Sequence, residues 1–179
     1  MTPKLDRERA ALVVVDVQEA FRKALPDFDE VARGVGIMVE GTAALGIPIV
    51  VTEQYPQGLG ATVPEVAGHL PAGVEPVEKV RFSAAEAEGF GLAGRDQAIV
   101  CGIEAHVCVN QTVLDLLGEG VEAHVVSDAT GSRTDANREL GLHKMERAGA
   151  TLTSVEMALF ELLRGSDAPE FKRVQALVL

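Results

Sequence analysis

Three side chains able to do acyl chemistry stand where apolar runs of this 179-residue chain give way to turns. Asp16 follows Leu12-Val13-Val14-Val15, Lys79 closes the run that starts at Glu75, and Cys108 follows Gly102-Ile103-Glu104-Ala105-His106-Val107. A carboxylate beside a thiol can take its proton, the resulting thiolate can attack an acyl carbon, and a nearby ammonium favours the ionised form of both acids. Each residue also has a plainer role. An Asp after a strand often caps the next helix, and a Lys at a strand end is usually a solvated charge. A Cys in apolar surroundings is usually an inert core thiol, which is the reading for Cys101 within Ile99-Val100-Cys101.

Position distinguishes Cys108. Val109, Val113, Leu116 and Leu117 form the buried stripe of a helix, and Cys108 falls in its first turn, near the positive end of the macrodipole. That placement predicts a thiol pKa lowered from about 8.5 toward neutrality. His106 is two residues away, and side chains so spaced on a helix diverge, so it is assigned to the pocket wall and not to the role of base. His124, between Ala123 and Val125-Val126, reads as a structural or interface histidine.

Other chemistries find no support. No strand is followed by a dinucleotide-binding glycine fingerprint, and neither a Walker A sequence nor a G-x-S-x-G elbow occurs. His69, His106, His124 and His143 show no metal spacing and the two cysteines do not form C-x-x-C, so neither a metal nor a cofactor is expected. Lys and Arg number 16 against 27 Asp and Glu, a net charge of −11. This argues against nucleic acid and anionic membranes as partners and leaves a small molecule. Two cysteines and no export-like N-terminus suit a reducing cytoplasm, and no apolar run nears the ~20 residues of a membrane helix, so a soluble protein is expected.

The elements that must position these groups alternate. Strands are predicted over Ala11–Val17, Pro48–Thr52, Glu75–Lys79, Gln97–Ile103, Glu122–Ser127 and Ala150–Ser154, and several are apolar throughout, as in parallel strands covered on both faces. Helices are predicted over Asp29–Leu45, Ser83–Leu92, His106–Leu117, Thr134–Ala148, Glu156–Arg164 and Pro169 to the end, with Gly46, Gly118, Gly120, Gly149 and Gly165 as stops. Glu53–Gly73 reads as one long Gly/Pro-rich loop, a feature that is often functional. The pattern is that of a doubly wound α/β fold: a mainly parallel six-stranded sheet in the order 3-2-1-4-5-6 with helices on both faces, a single domain over residues 1–179. In that order the first and fourth strands meet where the winding reverses, which brings Asp16 and Cys108 face to face.

Four segments together resemble the isochorismatase-like cysteine hydrolase superfamily: Val14-Val15-Asp16-Val17-Gln18 with Phe21, Lys79-Val80-Arg81-Phe82-Ser83, Gly102 to Val109, and Ser127-Asp128-Ala129 with Ser132-Arg133. Thr52 to Gly60 is similar to the subgroup of isochorismatase domain-containing proteins. The resemblance implies an Asp–Lys–Cys triad of Asp16, Lys79 and Cys108, with an oxyanion hole from the N–H groups of Glu104 and Cys108. It also implies a cis peptide at Ile103–Glu104, a homo-oligomer, and a thioester route to amide or ester hydrolysis. Gln18, Phe21, Glu53, Gln54, Tyr55, Phe82 and His106 are the candidates for the substrate pocket. Where nicotinamidases of this family carry a D-x-H metal cluster, this chain has Glu53-Gln54-Tyr55. Isochorismatases proper cleave a vinyl ether without a cysteine, so Cys108 points to acyl chemistry instead. Two alternatives stand beside this reading. One is a thiol-redox or glyoxalase-like protein resembling the DJ-1 group. The other is a non-catalytic oligomeric protein that uses the apolar end Phe171, Val174, Leu177, Val178 and Leu179 as an interface.

Overall fold

The valine run of the first strand is apolar throughout because it faces two cores. In β1 (Ala10–Val15), Leu12 and Val14 pack into one hydrophobic cluster while Val13 and Val15 pack into another on the opposite face. A computed structural model describes residues 4–179 and shows six parallel strands in the order β3-β2-β1-β4-β5-β6. The others are β2 (Ile49–Gln54), β3 (Val77–Lys79), β4 (Gln97–Ile103), β5 (Glu122–Gly131) and β6 (Thr151–Thr153).

Helices cover both faces. α1 (Phe28–Ala44), α6 (Val155–Leu163) and α7 (Phe171–Val178) contribute Phe28, Val31, Leu159 and Val174 to the first cluster. On the other face lie α4 (Asn110–Gly118) and α5 (Asp135–Ala148), which contribute Val113, Leu116, Leu142 and Met145. Side chains of the capping type set the helix starts: the Thr134 and Ser154 hydroxyls accept hydrogen bonds from the N–H groups of Asn137 and Met157. The α5 helix ends at Gly149 in the left-handed conformation, whereas Gly118 stays inside α4 and Arg164, not Gly165, takes the positive φ after α6.

Three local expectations change. The predicted helix Ser83–Leu92 is only a 3₁₀ turn, Ala84–Glu86, because Gly89 adopts φ +89° and the chain continues irregularly through Gly91 and Gly94. The long loop after β2 contains two one-turn helices, α2 (Pro56–Leu59) and α3 (Pro64–Ala67), each with proline in its first turn. Strand β5 runs on past Ser127, because beyond a register shift in β4 the residues Thr130 and Gly131 pair with Gly102 and Ile103. That irregularity centres on Gly102, at φ +122°, where a Cβ would sit 2.1 Å from the carbonyl oxygen of Val15. Only glycine lets β4 lie this close to the end of β1, the point where Asp16 begins.

Candidate active site

Sheet register builds the site. Val15 pairs with Thr52 on one side and Gly102 on the other, and Gln54 pairs with Lys79, so the C-terminal ends of β1, β2, β3 and β4 converge where the winding reverses. Asp16 follows β1 directly, at φ +51° and with no solvent exposure. A buried non-glycine residue in that region is strained, and such residues cluster at functional sites. Its Oδ1 accepts the Thr52 hydroxyl proton at 2.7 Å and its Oδ2 accepts from Lys79 Nζ at 2.7 Å.

Lys79 is buried to the tip, its side chain 1% exposed. Besides Asp16, its ammonium donates to Gln54 Oε1 at 2.7 Å, to the Phe82 carbonyl at 2.9 Å and to the Arg81 carbonyl at 3.2 Å. An ion pair withdrawn from water persists when hydrogen bonds satisfy its remaining donors and acceptors, and these contacts do so.

Cys108, 5% exposed, lies in the wide turn Ala105–Val109 that leads into α4. Burial pushes its thiol up to about 12, helped by the negative charge of Asp16 and opposed by the positive charge of Lys79. This corrects the expectation of a thiol lowered by a helix terminus: enclosure and an adjacent carboxylate outweigh the helix end. The thiol is therefore protonated at neutral pH, and a thiolate must be formed by proton transfer. Cys101 lies in the core, its thiol raised by burial well above the ordinary range.

The turn itself is held from several sides. The Ile103–Glu104 peptide is cis. The Glu104 carbonyl accepts from the N–H groups of Val107 at 3.0 Å and Val109 at 3.2 Å. Thr112 Oγ1 donates to the Cys108 carbonyl at 2.7 Å and accepts the Ala84 N–H at 2.8 Å, which ties the segment after Lys79 to the turn carrying the sulfur. The Glu104 carboxylate accepts three hydrogen bonds from Arg133: from its backbone N–H at 3.0 Å, from Nε at 3.0 Å and from Nη2 at 2.8 Å. Burial acts to raise the Glu104 pKa, but Arg133 prevails and holds it below the usual carboxylate range.

The remaining candidates separate. Phe21 lines a cleft of about 230 Å³ with Leu59, Glu104 and Arg133. Tyr55 lines another, of about 330 Å³, along Lys79, Val80 and Arg81. Phe82 is half-exposed and gives its carbonyl to Lys79. His106 sits 3.1 Å from Ser132 Oγ through Nδ1. Gln18, Glu53 and Gln54 work within the protein. Gln18 brackets Gln54 and Gly60 through backbone contacts, Glu53 accepts from the N–H and hydroxyl of Thr62, and Gln54 holds Lys79. The first two fasten the loop after β2 and the third fixes the ammonium. Sequence reasoning missed Thr52, Thr112 and the role of Arg133. The signal for Thr52 was its place opposite Val15, which only the register reveals. His124 is buried, and burial pushes its pKa below the ordinary imidazole value. Among the described residues no cluster of His, Cys, Asp and Glu is arranged to hold a metal, and no helix is long and apolar enough to cross a membrane.

The family model described as "Isochorismatase domain" matches residues 10–157. Isochorismatase domain-containing protein 2A of Mus musculus is 38% identical over 174 residues, covering 96% of this chain and 83% of the relative. The structure titled MAR1 ribonuclease from Caenorhabditis elegans superposes with a TM-score of 0.93 at 39% identity, covering 98% of this chain and 92% of that one. The YcaC gene product of Escherichia coli, titled an octameric hydrolase of unknown specificity, superposes with a TM-score of 0.88 at 25% identity, covering 99% and 92%.

Proposed function

The chain belongs to the isochorismatase family, and from that membership we propose that it is a cysteine hydrolase acting on a small-molecule amide or ester through Asp16, Lys79 and Cys108. The observation that carries the reading is a nearly sealed thiol, its pKa pushed up by burial, beside a fully buried carboxylate that already holds an ammonium. Such a thiol needs a base, and Asp16 is the base at hand. Asp16 takes the thiol proton as the Cys108 sulfur bonds to the acyl carbon. The tetrahedral oxyanion receives the N–H groups of Glu104 and Cys108. Collapse breaks the C–N or C–O bond, and the proton on Asp16 passes to the departing amine or alcohol. Asp16 then deprotonates a water that attacks the thioester, and the carboxylic acid leaves as the sulfur recovers its proton. Lys79, hydrogen-bonded to Asp16 Oδ2, orients that carboxylate and stabilises the thiolate as it forms.

Incubation with a panel of amides, ureas and esters, followed by intact-protein mass spectrometry, tests the reading. A hydrolysed substrate whose acyl group adds to Cys108, with turnover lost in Cys108→Ala, is expected. Full activity in that variant overturns the mechanism. The thiol-redox reading has less support because Lys79 is committed to Asp16, a feature it does not require; a thiol titration indifferent to Lys79→Ala would favour it.

The name of the nematode neighbour brings phosphodiester cleavage into view. The −11 charge of this chain favours a small, weakly charged ligand over a polyanion, and release of fragments from labelled RNA would decide for the other side. Assembly into a homo-oligomer is part of the proposal, supported by the octamer named for the Escherichia coli neighbour, and so is residence in the cytoplasm, which suits two unpaired cysteines. The non-catalytic reading built on the apolar C-terminal end is disfavoured, because Val174 is fully buried against the α1 core and Phe171 and Val178 pack there too.

A further inference from the structure

The 230 Å³ cleft is lined by Ala20, Phe21 and Ala24 from the segment that follows Asp16 and by Glu104, the residue that leads into the turn carrying Cys108. Phe21, Leu59, Ala20 and Ala24 make its walls apolar, and among the described residues Glu104 and Arg133 are the only charged ones that line it. The two cancel each other. Glu104 is 5% exposed and engages Arg133 along its Nε–Nη2 edge, while the Arg133 side chain is 58% exposed. A guanidinium alone at the mouth of an apolar cleft would collect carboxylates, because its planar fork matches them. Here that fork is already filled by a carboxylate of the protein. An incoming anion would have to displace Glu104, leaving a buried charge unpaired, or approach a cation already neutralised.

From this geometry we infer that the Glu104–Arg133 pair is a charge filter that limits the acyl group entering the cleft to uncharged compounds. The substrate class is a small neutral amide or ester with an apolar body, bearing at most a carbonyl or hydroxyl oxygen to accept from the Arg133 N–H groups that Glu104 leaves free. The inference rests on the hydrolase reading for the location of the chemistry, since it takes this cleft as the approach to Cys108.

Iodoacetamide and iodoacetate, close in size and differing in charge, serve as probes, with alkylation of Cys108 followed by peptide mass spectrometry. Glu104→Gln is expected to raise the ratio of the iodoacetate to the iodoacetamide rate about fivefold, the order expected for one unit charge released near a protein surface. The gain should shrink in 1 M salt, where the screening length is about 3 Å. Arg133→Gln, at a largely exposed side chain, should move the ratio the opposite way and serves if Glu104→Gln does not fold. An unchanged ratio, or equal acceleration of both reagents, overturns the filter. Alkylation does not require turnover, so the two ideas fail separately. A shifted ratio with no amide hydrolysed retires the hydrolase and keeps the filter, and turnover with an unmoved ratio does the reverse.

Discussion

Thr52 donates its hydroxyl proton to Oδ1 of Asp16 at 2.7 Å, across a strand pair whose register sets Thr52 opposite Val15. With Lys79 on Oδ2, the carboxylate is gripped at both oxygens and can turn neither away from the sulfur nor toward solvent. Replacing Thr52 by Val keeps the volume and removes the donor. The expected result is a fall of about tenfold or more in kcat with little change in KM, plus about 1–3 kcal/mol of lost stability from the unsatisfied acceptor. Thr52→Ser should recover most of the rate, and steady-state kinetics on the substrate identified by the amide and ester panel checks both.

Asp16→Asn should remove turnover, by about 10²–10⁴-fold for the loss of a general base. It also strands a buried ammonium, so a destabilisation of about 3–5 kcal/mol is expected in urea unfolding. The double variant Asp16→Asn with Lys79→Met should regain much of that stability and none of the activity. If it unfolds as readily as Asp16→Asn alone, the pair is not what Lys79 needs.

The thiol of Cys108, pushed up to about 12 by burial and then by Asp16, sets two pH signatures. Alkylation by iodoacetamide should climb about tenfold per pH unit from pH 7 to 10 without a plateau near the free-thiol value of about 8.5. Because Asp16 raises this pKa and Lys79 lowers it, Asp16→Asn should label faster and Lys79→Met slower than the parent. For stability, the folded state holds this proton more tightly than the unfolded chain. The contribution is complete below about pH 8.5 and declines as pH rises toward 12, and Cys108→Ser should flatten that alkaline slope in thermal melts.

Glu104 titrates in the opposite sense. Arg133 lowers its pKa against the pull of burial, so it stabilises the fold above the unfolded value of about 4.3 and loses that contribution as pH falls through the folded value. Melting temperatures from about pH 5 down to 3 should drop more steeply for the parent than for Glu104→Gln. Parallel curves would mean that the pair adds nothing to stability.

In most helices a Gly→Ala change stabilises by about 0.5–1 kcal/mol. Gly141 of α5 is expected to behave otherwise, since a Cβ there would lie 2.8 Å from the Ala105 carbonyl oxygen and 3.0 Å from the His106 Cα, both backbone atoms of the turn carrying Cys108. Gly141→Ala should lower both stability and kcat. An unaltered rate would show that the turn tolerates displacement.

Much of this architecture is legible in the amino-acid order. Uninterrupted runs such as Leu12 to Val15 announce strands covered on both faces, and Gln97–Ile103 has the same limits in sequence and structure. What stays hidden is whatever depends on register or enclosure. Asp128 to Gly131 falls beyond the predicted strand, yet continues β5 because a glycine in the neighbouring strand shifts the pairing. Thr52 looks like an ordinary strand-end residue and Gln54 like a loop residue lining the pocket until Val15 and Lys79 are seen opposite them. The thiol of Cys108 is misjudged from its helix position because local sequence carries the dipole and not the burial.

Strand β3 has three residues and lies at the margin of the sheet, the kind of element that detaches early when a native protein breathes. Lys79 closes it, and the same ammonium that faces Asp16 grips Gln54 of the adjoining strand and two carbonyls beyond its own. The proposed catalytic charge is thus also a rivet of one of the sheet's two short edge strands. Any excursion that frees the margin withdraws the cation from Asp16, so under the proposed mechanism the competent fraction of molecules would follow a regional opening equilibrium well short of complete unfolding.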